Sequence, residues 1–257
     1  MKLFDCHCHT DRSACGRVPL EWYHQIATEA PCSFAITDHS AHIYYPPEDK
    51  WAFWTDRGQE AYERYKQWGD RQLEQYIADV RAAQRGSMYL GLELDIFLDG
   101  TPVCDERYLS EFDVLLGAPH TFPAVENEAP VEQVEAEFKQ IIRGLLALEV
   151  HVVVHPFRVL VQKGYTVSES LIEWTVDICG EHGVALEINS GYKCYDEDIV
   201  MADLAIARGV TLALGTDTHG TDRFGIFTYH YEIADRVGIP AEKLYWQPQV
   251  VVAQAAQ

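Results

Sequence analysis

Short apolar runs recur along the chain, at residues 3–6, 33–37, 88–94, 113–117, 152–154, 184–188 and 211–214. They are rich in Val, Ile, Leu or aromatic residues and too short to be helix cores, as buried parallel strands are. Between them the period becomes that of helices. Residues 57–85 carry Leu73, Ile77 and Val80 at helical spacing, and residues 131–148 place Val134, Phe138, Ile141, Ile142 and Leu145 on one face. Residues 168–182 hold Ser170 and Glu173 at capping-box spacing and stop at Gly183, and residues 196–208 stop in the same way at Gly209. Further helices are expected near Pro19 and over 229–237. This alternation predicts one α/β domain over residues 1–257 built on a parallel sheet, and periodicity alone leaves barrel and open sheet both possible. Residues 40–56 break the rhythm. Their Tyr44, Tyr45, Trp51, Phe53 and Trp54 suit either a lid over a site or an insertion packed on outer helices.

Composition narrows the function. The 257 residues include 20 basic and 40 acidic side chains, a formal charge of −20, with 47% apolar residues. That is a folded globular chain whose surface repels polynucleotide phosphates, so binding to nucleic acid polymers is not expected. No apolar stretch approaches the roughly 20 residues of a membrane span. The N-terminus lacks the apolar core of an export signal, and the seven Cys are irregularly spaced. Both features suit reduced thiols in a cytoplasm.

The histidines carry the chemistry. His7 and His9 follow the first strand, His39 the second, His120 the fourth, His155 the fifth and His219 the seventh. Glu93 ends the third strand, Glu187 and Asn189 the sixth, and Asp217 the seventh. Six of the eleven His therefore sit at C-terminal strand ends, where strands of one direction gather their residues on one face. Side chains two apart on a strand share a side, which pairs His7 with His9, Glu93 with Asp95 and Asp217 with His219. By the same rule Cys6 and Cys8 point outward, against helices. Imidazoles with carboxylates are a ligand set for Zn²⁺, Fe or Mn²⁺. His24, His151, His182 and His230 lie elsewhere and are read as structural or surface residues; His42 stays open.

The ordered segments Asp-x-His-x-His-Thr at 5–10, Thr-Asp-His at 37–39, Gly-Leu-Glu-Leu-Asp at 91–95, His120, His-Pro at 155–156, Glu-Ile-Asn-Ser-Gly at 187–191 and Gly-Thr-Asp-Thr-His at 215–219 resemble the polymerase and histidinol phosphatase (PHP) family. The resemblance implies a distorted seven-stranded TIM-like (β/α) barrel, up to three metal ions, and phosphoester hydrolysis. His7, His9, Glu93 and Asp217 resemble the ligands of one ion. Glu93, His120 and His155 resemble those of a second, with Glu93 bridging. His39 and His219 resemble ligands of a third, whose remaining position, usually His or Asp, is Cys15 here. Glu93, Asp217 and His219 are the residues expected closest to the reaction.

Two or three divalent ions suit phosphoryl transfer, since they supply hydroxide near neutral pH and neutralise phosphate oxygens. Three such ions against Glu93 and Asp217 leave the pocket at about +4, which admits a phosphate that the bulk surface repels. Arg158, Lys193 and Arg12 are candidates to grip it, with Arg223 a weaker one. Asp5 and Asp38 are expected to anchor the second ring nitrogen of ligand imidazoles. The leading reading is a phosphomonoesterase of a small phosphorylated metabolite, similar to histidinol phosphatases. The alternatives are a nucleotide or oligonucleotide phosphodiesterase using the aromatic insertion, and a non-phosphate metallohydrolase on the same barrel.

Overall fold

The computed structural model describes residues 3–55, 58–239 and 246–248. The expected strands form: β1 Phe4–Cys8, β2 Ser33–Ile36, β3 Met88–Asp95, β4 Val114–Ala118, β5 Val152–Val153, β6 Ala185–Asn189 and β7 Leu212–Gly215. Each pairs in parallel with the next, and β7 returns to β1. The sheet is thus a closed seven-stranded TIM-like barrel. The helices among the described residues are α1 Leu20–Ile26, α2 Ser40–Tyr44, α3 Gly58–Ala83, α4 Pro123–Glu126, α5 Val131–Ala147, α6 Arg158–Gln162, α7 Glu169–His182, α8 Tyr195–Arg208 and α9 Thr228–Val237. Residue 57, the expected start of the third helix, and the end of the insertion at residue 56 lie outside the described residues.

Local signals set several helix ends. Gly183 and Gly209 take left-handed backbone, φ 67° and 71°, and close α7 and α8 as expected. The start of α7 differs. Its cap is Ser168, whose Oγ accepts the Leu171 N–H at 3.2 Å, so the helix opens two residues before the Ser170–Glu173 pair.

Two apolar cores separate across the barrel wall. The outer one joins strands to helices through residues such as Phe34, Leu92, Phe138, Ile141 and Ile188. The inner one plugs the barrel with Phe4, Cys6, Ala35, Tyr89, Val114, Leu116 and Val154, and Trp246 packs against it, 5.9 Å from the Phe4 ring. The alternation fails at β1, where the pairing register shifts between Asp5 and Cys8. Cys6 joins the inner plug and only Cys8 faces the helices, which corrects the expectation that both do. An irregularity in the ladder turns consecutive side chains off the period of two.

The insertion divides its aromatics between two surroundings. Tyr44, Tyr45 and Phe53 are buried in the outer core. Tyr44 fits because α3 has Gly69 there: a Cβ would stand 2.3 Å from its ring. Trp51 and Trp54 instead turn to the barrel mouth, with rings 4.7 and 4.9 Å from His42.

Candidate metal centre

The strand ends deliver the expected groups to one place. His7 and His9 leave β1 with their Nε2 atoms 3.1 Å apart. His9 Nε2 lies 3.1 Å from Asp217 Oδ1, and His7 Nε2 lies 3.4 Å from Glu93 Oε1. Across the mouth, His120 Nε2 and His155 Nε2 stand 3.1 and 3.0 Å from the same Glu93 Oε1. His39 Nδ1 meets Glu93 Oε2 at 2.8 Å. Donors bound at 2.0–2.1 Å to a tetrahedral ion sit about 3.4 Å from one another, so these separations are those of groups sharing a cation.

Hydrogen bonding supports the fit. His39 Nδ1, His120 Nε2, Glu93 Oε2 and Asp217 Oδ1 are buried and make no hydrogen bond. A buried polar group left so costs about 1–3 kcal/mol. Several at one point call for a common partner, and nitrogen and carboxylate lone pairs facing inward call for a positive one. Sets able to hold an ion are His7–His9–Asp217, His7–Glu93–His155, His39–Asp95–His120, His9–His39–His219 and Cys15–His39–His42.

Outer partners fix the imidazoles. His7 Nδ1–H donates to Glu187 Oε1 at 2.8 Å, which leaves Nε2 with a lone pair toward the cage. His120 Nδ1–H donates to Asp95 Oδ1 at 2.6 Å with the same result. His219 Nδ1–H donates to the Asp217 carbonyl at 2.8 Å. Glu187 also accepts the His155 backbone N–H at 2.7 Å. Asp5 and Asp38 work differently from expectation. Asp5 accepts from Thr216 N–H at 3.0 Å and from the His7 backbone, and Asp38 accepts from the N–H and hydroxyl groups of Thr10 and Ser13. They tie loop backbone rather than ligand rings. The anchoring carboxylates are Glu187 and Asp95, each visible in sequence only as an acid at a strand end.

Two positions of the cage carry backbone that only glycine adopts freely. His155 has φ 30° and Asp217 φ 51°. Such positions persist where surroundings over-determine them, often at functional sites. Burial would push the Glu93 and Asp217 carboxyls up. The imidazoles outweigh it, chiefly His39 and His120 for Glu93 and His7 and His9 for Asp217, and hold both well below the carboxylate range. Burial also raises the Cys15 thiol, but hydrogen bonds with His219 and His39 bring it down to about 6. His42 Nδ1 accepts the Ala14 N–H at 3.2 Å, which ties it to the Cys15 loop. His24, His151, His182 and His230 bond to backbone groups outside the cage.

The basic residues divide. Arg158 lies with its guanidinium 3.7 Å from the Tyr192 ring centre, and Tyr192 packs on His155. Lys193 stands 5.8 Å from the Tyr229 ring, under a left-handed backbone of φ 51°. Arg12, expected at the phosphate, is paired instead with Asp79 on α3. Arg17 and Arg223 line the mouth beside Cys15, Asp217 and His219. Arg17 had no strand-end motif to mark it.

A parallel barrel with an imidazole–carboxylate cage at its C-terminal mouth defines a metal-binding hydrolase barrel. The PHP domain model matches residues 5–191, and the chain belongs to the PHP domain family. Probable phosphatases of Shewanella frigidimarina and Shewanella oneidensis are 25% and 26% identical to it, covering 94% and 93% of this chain and 88% and 85% of their own. The DNA polymerase/3'-5' exonuclease PolX of Bacillus subtilis is 27% identical over 51% of this chain and 22% of its own. A histidinol phosphate phosphatase from Lactococcus lactis, solved with zinc, L-histidinol and phosphate, has the same fold, with a TM-score of 0.55 at 14% identity over 93% of this chain and 95% of its own. The chain is a hydrolase of this phosphatase family. Among the described residues, no helix is long and apolar enough to cross a membrane.

Proposed function

We propose that the chain is a phosphomonoesterase of a small phosphorylated metabolite, working with two or three divalent ions of Zn, Mn or Fe. The observation that supports it best is Glu93: one carboxylate oxygen stands within 3.0–3.4 Å of His7, His120 and His155. In this reading His7, His9, Glu93 and Asp217 hold one ion, and Glu93, His120 and His155 a second. His39, His219 and Cys15 hold a third. Such ions supply a nucleophile near neutral pH and stabilise charge on the phosphoryl oxygens.

The protein's own residues do the positioning. Glu187 and Asp95 keep the His7 and His120 lone pairs aimed at the cage. The Arg158 fork, held over the Tyr192 ring, is set to bind phosphate oxygens beside His155. Lys193 is the next candidate for that task. A phosphodiesterase is the second reading, because Trp51 is 55% exposed beside Trp54 and offers a stacking face to a base.

A panel of monoesters and diesters with added Mn²⁺, Zn²⁺ or Fe²⁺ tests the choice. Phosphate release from monoesters alone is the expected result, and preference for diesters selects the second reading. Glu93→Ala should abolish turnover and release metal. Full turnover with metal content intact would overturn the assignment. The free state of all seven thiols suits the cytoplasm as its place of work.

A further inference from the structure

The cage has two flanks of opposite character. On one side a cavity of about 810 Å³ is lined by Phe53, Trp54, Phe97 and Phe122, with Asp99 and Glu126 as its acids. On the other, a cavity of about 380 Å³ opens over Cys15, Asp217 and His219, and its outer wall carries Arg17 and Arg223. Glu93, His120 and His155 do not line this second cavity.

Both arginines are fixed to the loop that carries His219. The Arg17 backbone N–H donates to the His219 carbonyl at 3.0 Å, and the Arg223 backbone N–H to the Gly220 carbonyl at 3.2 Å, while both side chains are exposed. Arg12, Arg81 and Arg208 pair with carboxylates elsewhere on the chain. Among the described residues, no carboxylate lies within ion-pair distance of Arg17 or Arg223. Asp222, on the same wall, pairs with neither. Two free guanidinium forks beside an ion cage are a receptor for an anion.

We propose that the substrate is a phosphomonoester with a second anionic group, a carboxylate or another phosphate, and that Arg17 and Arg223 receive that group. The inference rests on the phosphomonoesterase reading. It narrows the substrate class, because the apolar flank with its acids would reject such a group. Arg17 and Arg223 are specificity residues here, and the scissile phosphate belongs to the cage and Arg158.

The test uses a matched pair, glycerol 3-phosphate and 3-phosphoglycerate, with the metal-loaded full chain. The acid should show the higher kcat/KM, by about ten-fold, as one charge-assisted contact gives. Arg17→Gln and Arg223→Gln should each lower the ratio of the two kcat/KM values about ten-fold, and added salt should shrink it in the unmodified protein. Equal turnover of the pair overturns the proposal and leaves the phosphomonoesterase reading standing. Equal loss on both esters in the variants also overturns it, and assigns the arginines to the scissile phosphate. No phosphate release from either ester, with other monoesters of the panel hydrolysed, also overturns the proposal, and no release from any monoester removes the phosphomonoesterase reading with it.

Discussion

Glu187→Gln should strip ions from the cage without unfolding the barrel. The Glu187 carboxylate is surrounded by donors: His7 Nδ1–H at 2.8 Å, His155 N–H at 2.7 Å and Asn189 Nδ2–H at 3.0 Å. A carboxylate accepts from all three, whereas an amide must present its own N–H to one side. Turned to His155, it meets the backbone N–H of a residue already held at φ 30°. Turned to His7, it forces the ring proton onto Nε2, the nitrogen that faces Glu93 and His9. One charge-assisted bond is lost either way, about 1.5–3 kcal/mol. Outer partners of metal-bound His typically affect metal affinity by about 10- to 100-fold, which is the same size of effect. Zn²⁺ affinity measured against a chromophoric chelator at pH 7.5 should fall by that factor. The metal-free variant should melt cooperatively, with its far-UV spectrum unchanged. Wild-type affinity in Glu187→Gln would refute the reasoning, because the His7 lone pair would then need no carboxylate to aim it.

Three further outcomes follow from the geometry. Gly215→Ala should lose metal at least as severely, since a Cβ there would stand 1.7 Å from Glu187 Oε1; chelator competition measures it, and an unchanged affinity counts against the Glu187 role. Metal-free protein given Co²⁺ should develop a thiolate-to-metal charge-transfer band that Cys15→Ser abolishes while bound cobalt falls by one ion per chain at most; a band that survives the substitution removes Cys15 from the third position. Burial lowers His230 to about 4 from an ordinary 6.5, against the opposing hydrogen bond to Ile188. A lowered histidine contributes stability above pH 6.5 and loses it as pH falls toward 4, about 3 kcal/mol in all. Urea unfolding at pH 7.5 and 4 should show that much less acid sensitivity in His230→Gln, and parallel curves would contradict it.

The barrel was legible because its strands are continuous apolar runs and each ends in a group no plain core would hold. Eight residues of the cage were readable for the same reason: His7, His9, His39, Glu93, His120, His155, Asp217 and His219 each follow or end a run. Partners were harder. The side on which Asp5 and Cys6 fall depends on a register shift in β1, which leaves no mark in composition or period. Asp5 and Asp38 sit beside ligands in sequence, yet threonine and serine hydroxyls reach them first. Glu187 reaches His7 across 180 positions of chain, which only closure of the sheet brings about. Arg12 and Arg17 are both near His9 in sequence. Asp79 on α3 takes the first, and nothing local distinguishes the second.

Phe4, Leu116, Val154 and Trp246 close the barrel beneath the cage. Among the described residues, that floor leaves the rim as the way to the centre. Under the proposed function, ester, water and released phosphate would share that rim, which carries the tryptophans of the insertion and Arg17 and Arg223. In the proposed reaction, inorganic phosphate would therefore leave by the way the next ester enters.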